Sequence, residues 1–183
     1  LNYPVYGNAI RPGILAYGLY PSDWHQKKIQ VEPILSFRTK VIQIRALPEG
    51  FSVSYGRTYQ TEESSLLGVI RAGYGDGLKR GLSNVGRVII GGNYYPIVGR
   101  VCMDMSIVLL PPDNSVKLDS VATIIGEDNG KRITADEHAE ILNTINYEII
   151  TGLSERVPRL YFHNGSLVGQ YDMAGVKDAV SIE

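Results

Sequence analysis

Residues 87–98 read RVIIGGNYYPIV, and this stretch decides the fold. Two short apolar runs, Val88–Ile90 and Tyr95–Val98, flank the turn residues Gly91–Asn93. Glycine and asparagine tolerate the positive φ angles of tight turns, so the pattern predicts a β-hairpin. The same alternation of apolar run and turn recurs along all 183 residues, with 20 glycines and 9 prolines between the runs. We therefore expect a mainly β domain.

Eight segments have the composition and length of strands. In one of them Ile42, Ile44 and Ala46 alternate with polar residues, which predicts one core-facing and one wet face. The segments are Ile34–Leu47, Gly50–Tyr59, Leu66–Ala72, Arg87–Ile90, Tyr94–Val98, Met105–Leu110, Ser120–Ile125 and Val157–His163.

A single helix is marked clearly. Thr134 is a good N-cap, and Glu137, three residues later, completes a capping box. Residues 135–143 are good helix formers with an apolar side, and the β-branched and polar run that follows predicts the end of the helix.

Composition excludes several classes of function. Apolar residues make up 44% and charged residues 20% of the chain, so it can bury a core. A net charge of -1 argues against nucleic acid as the main partner. The one cysteine excludes an intrachain disulfide framework and fits a reducing, cytoplasmic location. No apolar run approaches the ~20 residues of a membrane span, and no signal peptide is visible.

Three stretches could carry chemistry, and each also has a structural interpretation. In the first, residues 8–18, Arg11 precedes a Pro-Gly turn whose amides could approach an anion, or the turn could simply join two elements. In the second, Tyr55 and Tyr74 each adjoin glycines and could project toward a ligand, although most tyrosines in strands are structural. In the third, residues 99–105, Cys102 has no histidine nearby in sequence and fits a packed core residue better than a nucleophile.

Known catalytic and metal motifs are missing from the sequence. His25, His138 and His163 have no metal-ligand spacing, so we expect no metal site. No Walker, GxGxxG, HExxH or GxSxG pattern occurs.

Six runs, taken in order, resemble the alanine racemase family. They extend over most of the chain and are IRPGILAYGLYPS from Ile10, VSYGRTY from Val53, GYGDGLKRGLSN from Gly73, PIVGRVCMDM from Pro96, INYEI from Ile145 and RVPRLY from Arg156. The resemblance implies a β-barrel or Greek-key C-terminal domain with one short α-helix, preceded by the tail of a (β/α)8 barrel that binds pyridoxal phosphate. On this basis residues 1–21 are the barrel tail and residues 22–183 the β-rich domain.

The resemblance also implies roles for single residues. Tyr55 matches the catalytic tyrosine, which exchanges the substrate α-proton on one face and acts from one subunit on cofactor held by the barrel of the other. Arg11 matches the arginine on the pyridine nitrogen of pyridoxal phosphate, and the amides of Gly13 and Ile14 match contacts to its phosphate. A protonated guanidinium leaves that nitrogen without a proton, which weakens the cofactor as an electron sink.

Further matches surround the substrate. Met103 and Asp104 match positions whose backbone amides receive the substrate carboxylate. Tyr74, Arg80 and Arg100 match residues around the channel that leads to the site, which restricts access to small amino acids. The resemblance thus implies a homodimeric isomerase that interconverts L- and D-alanine for peptidoglycan precursors, with a small amino acid and a barrel domain as its partners.

Two departures from the family qualify this interpretation. None of the lysines stands in the K-A-x-A-Y-G-H-G context of the lysine that holds the cofactor. Because the chain also starts at Leu1, we expect that lysine in a barrel outside these residues and expect the chain alone to be inactive. Glu155 falls where some members have a tyrosine that touches the cofactor phosphate. A carboxylate would be repelled there, so the phosphate role is not transferred to Glu155.

Two alternatives stay open at this point. The chain could belong to a serine racemase or a broad-specificity racemase of the same family. It could instead be a stand-alone β-barrel that serves as an interaction module without catalysis. An adjoining barrel with the family's lysine motif would favour an enzyme.

Overall fold

A computed structural model describes residues 7–26, 28–113 and 115–177. The chain divides into two compact units between Leu35 and Ser36. The boundary that we place after Pro21 concerns the end of a barrel tail, and it stays a prediction. The first unit contains a 3-10 helix, Gly13–Tyr17, and a short helix α1, Asp23–Gln26.

Gly18 ends the 3-10 helix of the first unit. Its φ of 72° is in the left-handed region, and a Cβ there would overlap the carbonyl of Glu32. The backbone N–H of Ile34 donates to the carbonyl of Tyr17 at 3.2 Å. Only glycine allows the two segments to approach this closely.

The second unit is mainly β, as the sequence predicts, and its strands pair antiparallel. Its main sheet has the order β6-β5-β8-β1-β4-β7, with β9 paired to β8. These strands are β1 (Phe37–Leu47), β4 (Ser65–Ile70), β5 (Arg87–Ile90), β6 (Asn93–Pro96), β7 (Ser106–Leu110), β8 (Val121–Asp128) and β9 (Lys131–Ile133). Two small sheets pair β2 (Ser52–Val53) with β3 (Tyr59–Gln60), and β10 (Arg159–His163) with β11 (Ser166–Asp172) and then β12 (Gly175–Lys177).

The main sheet nearly closes into a barrel. Ile97, just after β6, forms an antiparallel bridge with Val108 in β7, and the N–H of Val98 donates to the carbonyl of Ile107 at 2.9 Å. The two ends of the strand order therefore meet. Closure removes most of the exposed strand edges that would otherwise pair with other chains.

Aliphatic side chains fill the interior of the barrel. Val41, Ile70, Val88, Val108 and Ile124 are at most 1% exposed. Burying such a side chain contributes about 1.5–3 kcal/mol to the free energy of unfolding. This interior is the source of stability that the more irregular segments depend on.

The predicted helix begins where the sequence indicates, although its cap differs in one respect. Helix α2 covers Ala135–Leu142, and the hydroxyl of Thr134 accepts the N–H of Glu137 at 3.0 Å. The Glu137 carboxylate, which the capping box assigns to the helix start, instead accepts two hydrogen bonds from Arg87 at 2.9 and 3.0 Å.

The expectation of one helix was wrong in number. The described residues also contain α1 and a helix α3, Asn146–Thr151, which begins directly after the predicted helix end. Its first residue, Asn146, is buried and donates to Asp136 at 2.7 Å, and Ile149 is buried as well. Tertiary packing therefore stabilises a helix that local propensity does not predict. No helix in the described ranges is long and apolar enough to cross a membrane.

Candidate active site

The predicted site residues of the second unit surround one cleft of about 430 Å³. All six residues that the sequence marks for catalysis or substrate binding in this unit are among its lining. The lining residues are Tyr55, Tyr74, Arg80, Arg100, Val101, Cys102, Met103, Asp104 and Met105.

Tyr55 is presented by a strained turn. The sequence predicts one strand over Gly50–Tyr59, but the chain breaks into β2 and β3 around the turn Tyr55–Arg57. Ser54 has φ 62° and ψ -174°, Gly56 has φ 71° and Arg57 has φ 48°. Such conformations cost about 1–3 kcal/mol each for residues other than glycine. The result is a tyrosine with 76% of its surface exposed.

Hydrogen bonds hold this turn in place. The hydroxyl of Ser54 donates to the carbonyl of Arg100 at 2.7 Å, which ties the turn to the third stretch of the sequence. Gly99 has φ 75°, and a Cβ there would lie 2.8 Å from the carbonyl of Val53. The Gly99 N–H donates to Asn84 at 2.6 Å, and the amide of Asn84 donates to the Thr58 hydroxyl at 3.1 Å. Asn84 thus links both sides of the Tyr55 turn.

Tyr74 reaches the same cleft through direct backbone pairing. Its N–H donates to the carbonyl of Cys102 at 2.9 Å, and the N–H of Gly75 donates to the carbonyl of Met103 at 2.8 Å. A Cβ on Gly73 would overlap the carbonyls of Cys102 and Met103. The glycines around Tyr74 are therefore required by the close approach of two backbone segments.

The N–H groups of Met103 and Asp104 are free to bind a ligand. No hydrogen bond within the described residues occupies either N–H. Both residues are exposed at the cleft. Two adjacent unpaired amides are suited to an anionic group such as a carboxylate.

The two cleft arginines are brought together by Ser83. Its hydroxyl donates to the carbonyl of Arg80 at 2.5 Å and accepts the N–H of Val101 at 3.0 Å, next to Arg100. Cys102 is half-buried, and its thiol lies 3.4 Å from the Ser54 hydroxyl. None of the cleft-lining residues is a histidine, which agrees with the interpretation of Cys102 as a packed neighbour.

The remaining predicted residues lie in the first unit. Gly13 has φ 60° and nothing lies within 4 Å of where a Cβ would stand. Gly13 and Ile14 open a 3-10 helix, and first-turn amides have no acceptor within their helix. Arg11 is exposed beside them. This backbone fits a phosphate, and the neighbouring guanidinium fits a ring nitrogen that accepts a hydrogen bond.

Comparison with known proteins decides the family. Residues 34–161 match the family model described as "Alanine racemase, C-terminal domain". The chain belongs to the alanine racemase family. Among curated relatives, alanine racemase 2 of Caldanaerobacter subterraneus subsp. tengcongensis is 44% identical over 167 residues, which cover 91% of this chain and 43% of the relative. Alanine racemase 1 of Clostridium acetobutylicum is 44% identical over 161 residues, covering 87% of this chain and 42% of that protein.

Solved structures of alanine racemases agree with this assignment. The Bacillus anthracis enzyme with bound L-Ala-P superposes with a TM-score of 0.84 at 40% identity and covers 88% of this chain and 42% of that chain. The Clostridium difficile 630 enzyme in complex with cycloserine superposes with a TM-score of 0.81 at 34% identity. The match covers 87% of this chain and 42% of that chain. The chain thus spans about two fifths of the length of the alanine racemases that it matches.

Sequence reasoning missed one residue of this alanine racemase domain. Arg156 forms ion pairs with Asp76 and Asp104, both at 2.8 Å. Hydrogen bonds to Asp76 and then to Asp104 raise its pKa above the usual arginine value. The local sequence around Arg156 contains no signal for this role, because its partners lie 80 and 52 residues earlier in the chain.

Glu155 is the other residue of interest in this segment. Its neighbours are fixed near the cleft, since the N–H of Ser154 donates to the carbonyl of Asp76 at 3.1 Å and Arg156 binds the same aspartate. Glu155 itself is exposed. That Glu155 makes no contact with the cofactor phosphate stays a prediction.

Proposed function

We propose that this chain is the C-terminal part of a cytoplasmic alanine racemase that depends on pyridoxal phosphate and supplies D-alanine for peptidoglycan precursors. The observation that carries the proposal is the convergence of Tyr55, Tyr74, Met103 and Asp104 on one cleft. Membership of the alanine racemase family supports it. The substrate and cofactor groups described below follow from this proposal.

Tyr55 is the proposed acid and base on one face of the substrate. A phenol can hold or accept one proton at its oxygen, and the strained turn leaves Tyr55 largely exposed at the cleft. Inverting a stereocentre requires a second group on the opposite face. None of the described cleft residues is a lysine, so we assign that group to a barrel domain.

The substrate carboxylate is the proposed ligand of the Met103 and Asp104 amides. Their N–H groups have no partner within the described residues and adjoin each other at the cleft. Arg80 and Arg100 add positive charge to the rim, which attracts an anionic group. A small amino acid is the proposed substrate because the chain belongs to the alanine racemase family.

Arg11, Gly13 and Ile14 are the proposed contacts for pyridoxal phosphate. The N–H groups of Gly13 and Ile14 would donate to its phosphate, because first-turn amides are free and the space at Gly13 is open. The guanidinium of Arg11 would donate to its ring nitrogen. When bound, this cofactor withdraws electrons from the substrate α-carbon and so acidifies its proton. Arg11 keeps its own proton and limits that withdrawal.

We propose a homodimer in which Tyr55 of one subunit serves the barrel of the other. An exposed tyrosine on a fixed turn is suited to reach into a neighbouring domain. The barrel would be the main partner of this domain.

The test uses two proteins, the 183-residue chain and the enzyme that carries it together with a barrel. With pyridoxal phosphate, the enzyme should interconvert L- and D-alanine, faster than it does serine in a panel of small amino acids. The chain alone, mixed with pyridoxal phosphate, should not turn over alanine. Turnover by the chain alone, or preference of the enzyme for serine, would contradict the proposal.

A further inference from the structure

Arg156 joins two segments that line the cleft. Its Nε donates to Asp76 Oδ1 at 2.8 Å, and its Nη2 pairs with Asp104 Oδ1 at 2.8 Å. The same Nη2 donates to the carbonyl of Met103 at 3.3 Å. One guanidinium therefore binds the turn that carries Tyr74 and the segment whose amides we assign to the substrate carboxylate.

Asp76 fixes the first of these segments from within. Its second carboxylate oxygen, Oδ2, accepts the N–H of Gly73 at 2.9 Å. The carbonyl of Asp76 also accepts the N–H of Ser154, two residues before Arg156. Asp76 is mostly buried, so this end of the bridge is held firmly.

The sequence leaves room for the guanidinium. A Cβ on Gly75 would lie 2.5 Å from Arg156 Nη2 and 2.8 Å from Cζ. Any side chain at position 75 would push the guanidinium away from Asp104. Gly75 thus has a second purpose besides its backbone contact with Met103.

Charge gives Arg156 a role beyond geometry. Asp104 carries a carboxylate beside an N–H that we assign to the substrate carboxylate, and like charges repel even though its side chain is 59% exposed. The ion pair with Arg156 offsets that charge. Since its aspartate partners raise its pKa, Arg156 stays protonated throughout the physiological range.

We propose that Arg156 is a positioning residue for the substrate carboxylate. It holds Met103–Asp104 against the Tyr74 turn and cancels the negative charge of Asp104, so that two free amides can accept an anion. The inference rests on the proposed racemase function. It predicts that losing Arg156 weakens binding of the carboxylate more than it slows the chemical step.

The test measures kcat and KM for L-alanine in the enzyme with its barrel. Arg156→Gln should raise KM about 10- to 100-fold, as for the loss of a charge-assisted contact, while kcat changes much less. The inhibition constant of propionate, which has the carboxylate and lacks the amino group, should rise by a similar factor. Arg156→Lys keeps the charge without the bridge and should give an intermediate KM.

The second variant separates charge from structure. Adding Asp104→Asn to Arg156→Gln removes the uncompensated carboxylate and should lower KM again, at least several-fold. Arg87→Gln is the matched control, because Arg87 makes a similar two-point pair with Glu137 away from the cleft. It should reduce thermal stability and leave KM for alanine and the propionate constant unchanged.

Three results would overturn the inference. They are a KM for Arg156→Gln no higher than that of Arg87→Gln, a fall in kcat at constant KM, and no recovery in the double variant. If Arg156→Gln does not fold, Arg156→Lys decides, since an unchanged KM there contradicts the bridge. If the unmodified enzyme does not racemise alanine, the proposed function fails and not this inference alone.

Discussion

The barrel interior and the rim of the cleft differ in how they use the backbone. In the interior, residues such as Val88 and Val108 lie in regular strands and are fully buried. At the rim, Ser54, Arg57 and Gly99 all have positive φ, and Tyr55 beside them is exposed. The rim gains little from burial and carries strain, so it is stable only because the barrel over-determines its position. We therefore expect substitutions of exposed rim side chains to change catalysis, and substitutions in the barrel, in a helix or at close backbone contacts to change stability.

The largest expected effect is that of Tyr55→Phe in the enzyme. Removing a group that transfers a proton should lower kcat about 10²- to 10⁴-fold. Because Tyr55 is exposed, the melting temperature should stay within the error of the measurement. Polarimetry and a thermal melt on the same protein check both halves, and an unchanged racemisation rate would contradict the role of Tyr55.

The second prediction concerns the pH dependence of stability, which depends on His138 in α2. Burial lowers its pKa to about 4 from the usual 6.5. The unfolded chain therefore binds a proton that the folded chain does not, and stability falls as the pH drops from about 6.5 to about 4. The loss should be about 3 kcal/mol. Chemical denaturation at pH 7 and pH 4 measures this loss. His138→Gln is the control, because it should lose less stability between the two pH values, and the difference separates the contribution of the histidine from that of the carboxylates.

Gly73→Ala tests the contact between the two backbone segments of the rim. The new Cβ would overlap two carbonyls, so the segments must move apart, at a cost of about 2–3 kcal/mol. Gly50→Ala is the control, because its site is open and only its φ of 76° is unfavourable. It should cost about 1 kcal/mol. If both variants lost the same unfolding free energy in denaturant, the close approach of the two segments at Gly73 would not be rigid.

Thr134→Ala gives the smallest effect, at the start of α2. The hydroxyl accepts the N–H of Glu137, and losing such a cap costs about 1 kcal/mol. Thr151→Ala is the control, because that hydroxyl only donates to Tyr147 within its own helix. Denaturant unfolding should show a loss near 1 kcal/mol for Thr134→Ala. For Thr151→Ala the unfolding free energy should change by no more than a few tenths of a kcal/mol.

Local sequence patterns predict much of the barrel. The hairpin over residues 87–98 forms because its turn and its two apolar runs are adjacent in sequence, and β5 is observed as predicted. The start of α2 follows from Thr134 for the same reason. Strands β9, β11 and β12 were not predicted. The core-facing side expected for Ile42 is wrong, because the strand has a bulge between Val41 and Gln43 and Ile42 is 45% exposed.

The candidate site divides in the same way. Six of the nine residues that line the cleft were named from the family resemblance. The turn at Tyr55 was predicted as strand, because nothing in residues 50–59 reveals that Ser54 is held in a glycine-like conformation by the carbonyl of Arg100. Arg156 was missed for a similar reason, since its contacts depend on tertiary structure alone.

In the proposed enzyme, this domain provides one half of an active site whose other half lies in the barrel of a second subunit. Complementation tests it most directly. Subunits carrying Tyr55→Phe are mixed with subunits whose barrel lysine is replaced, each inactive as a homodimer. If Tyr55 acts across the dimer, every mixed dimer contains one intact site, and random mixing should restore roughly a quarter of the original racemase activity. Activity that stays at the background of the two parents would contradict the claim.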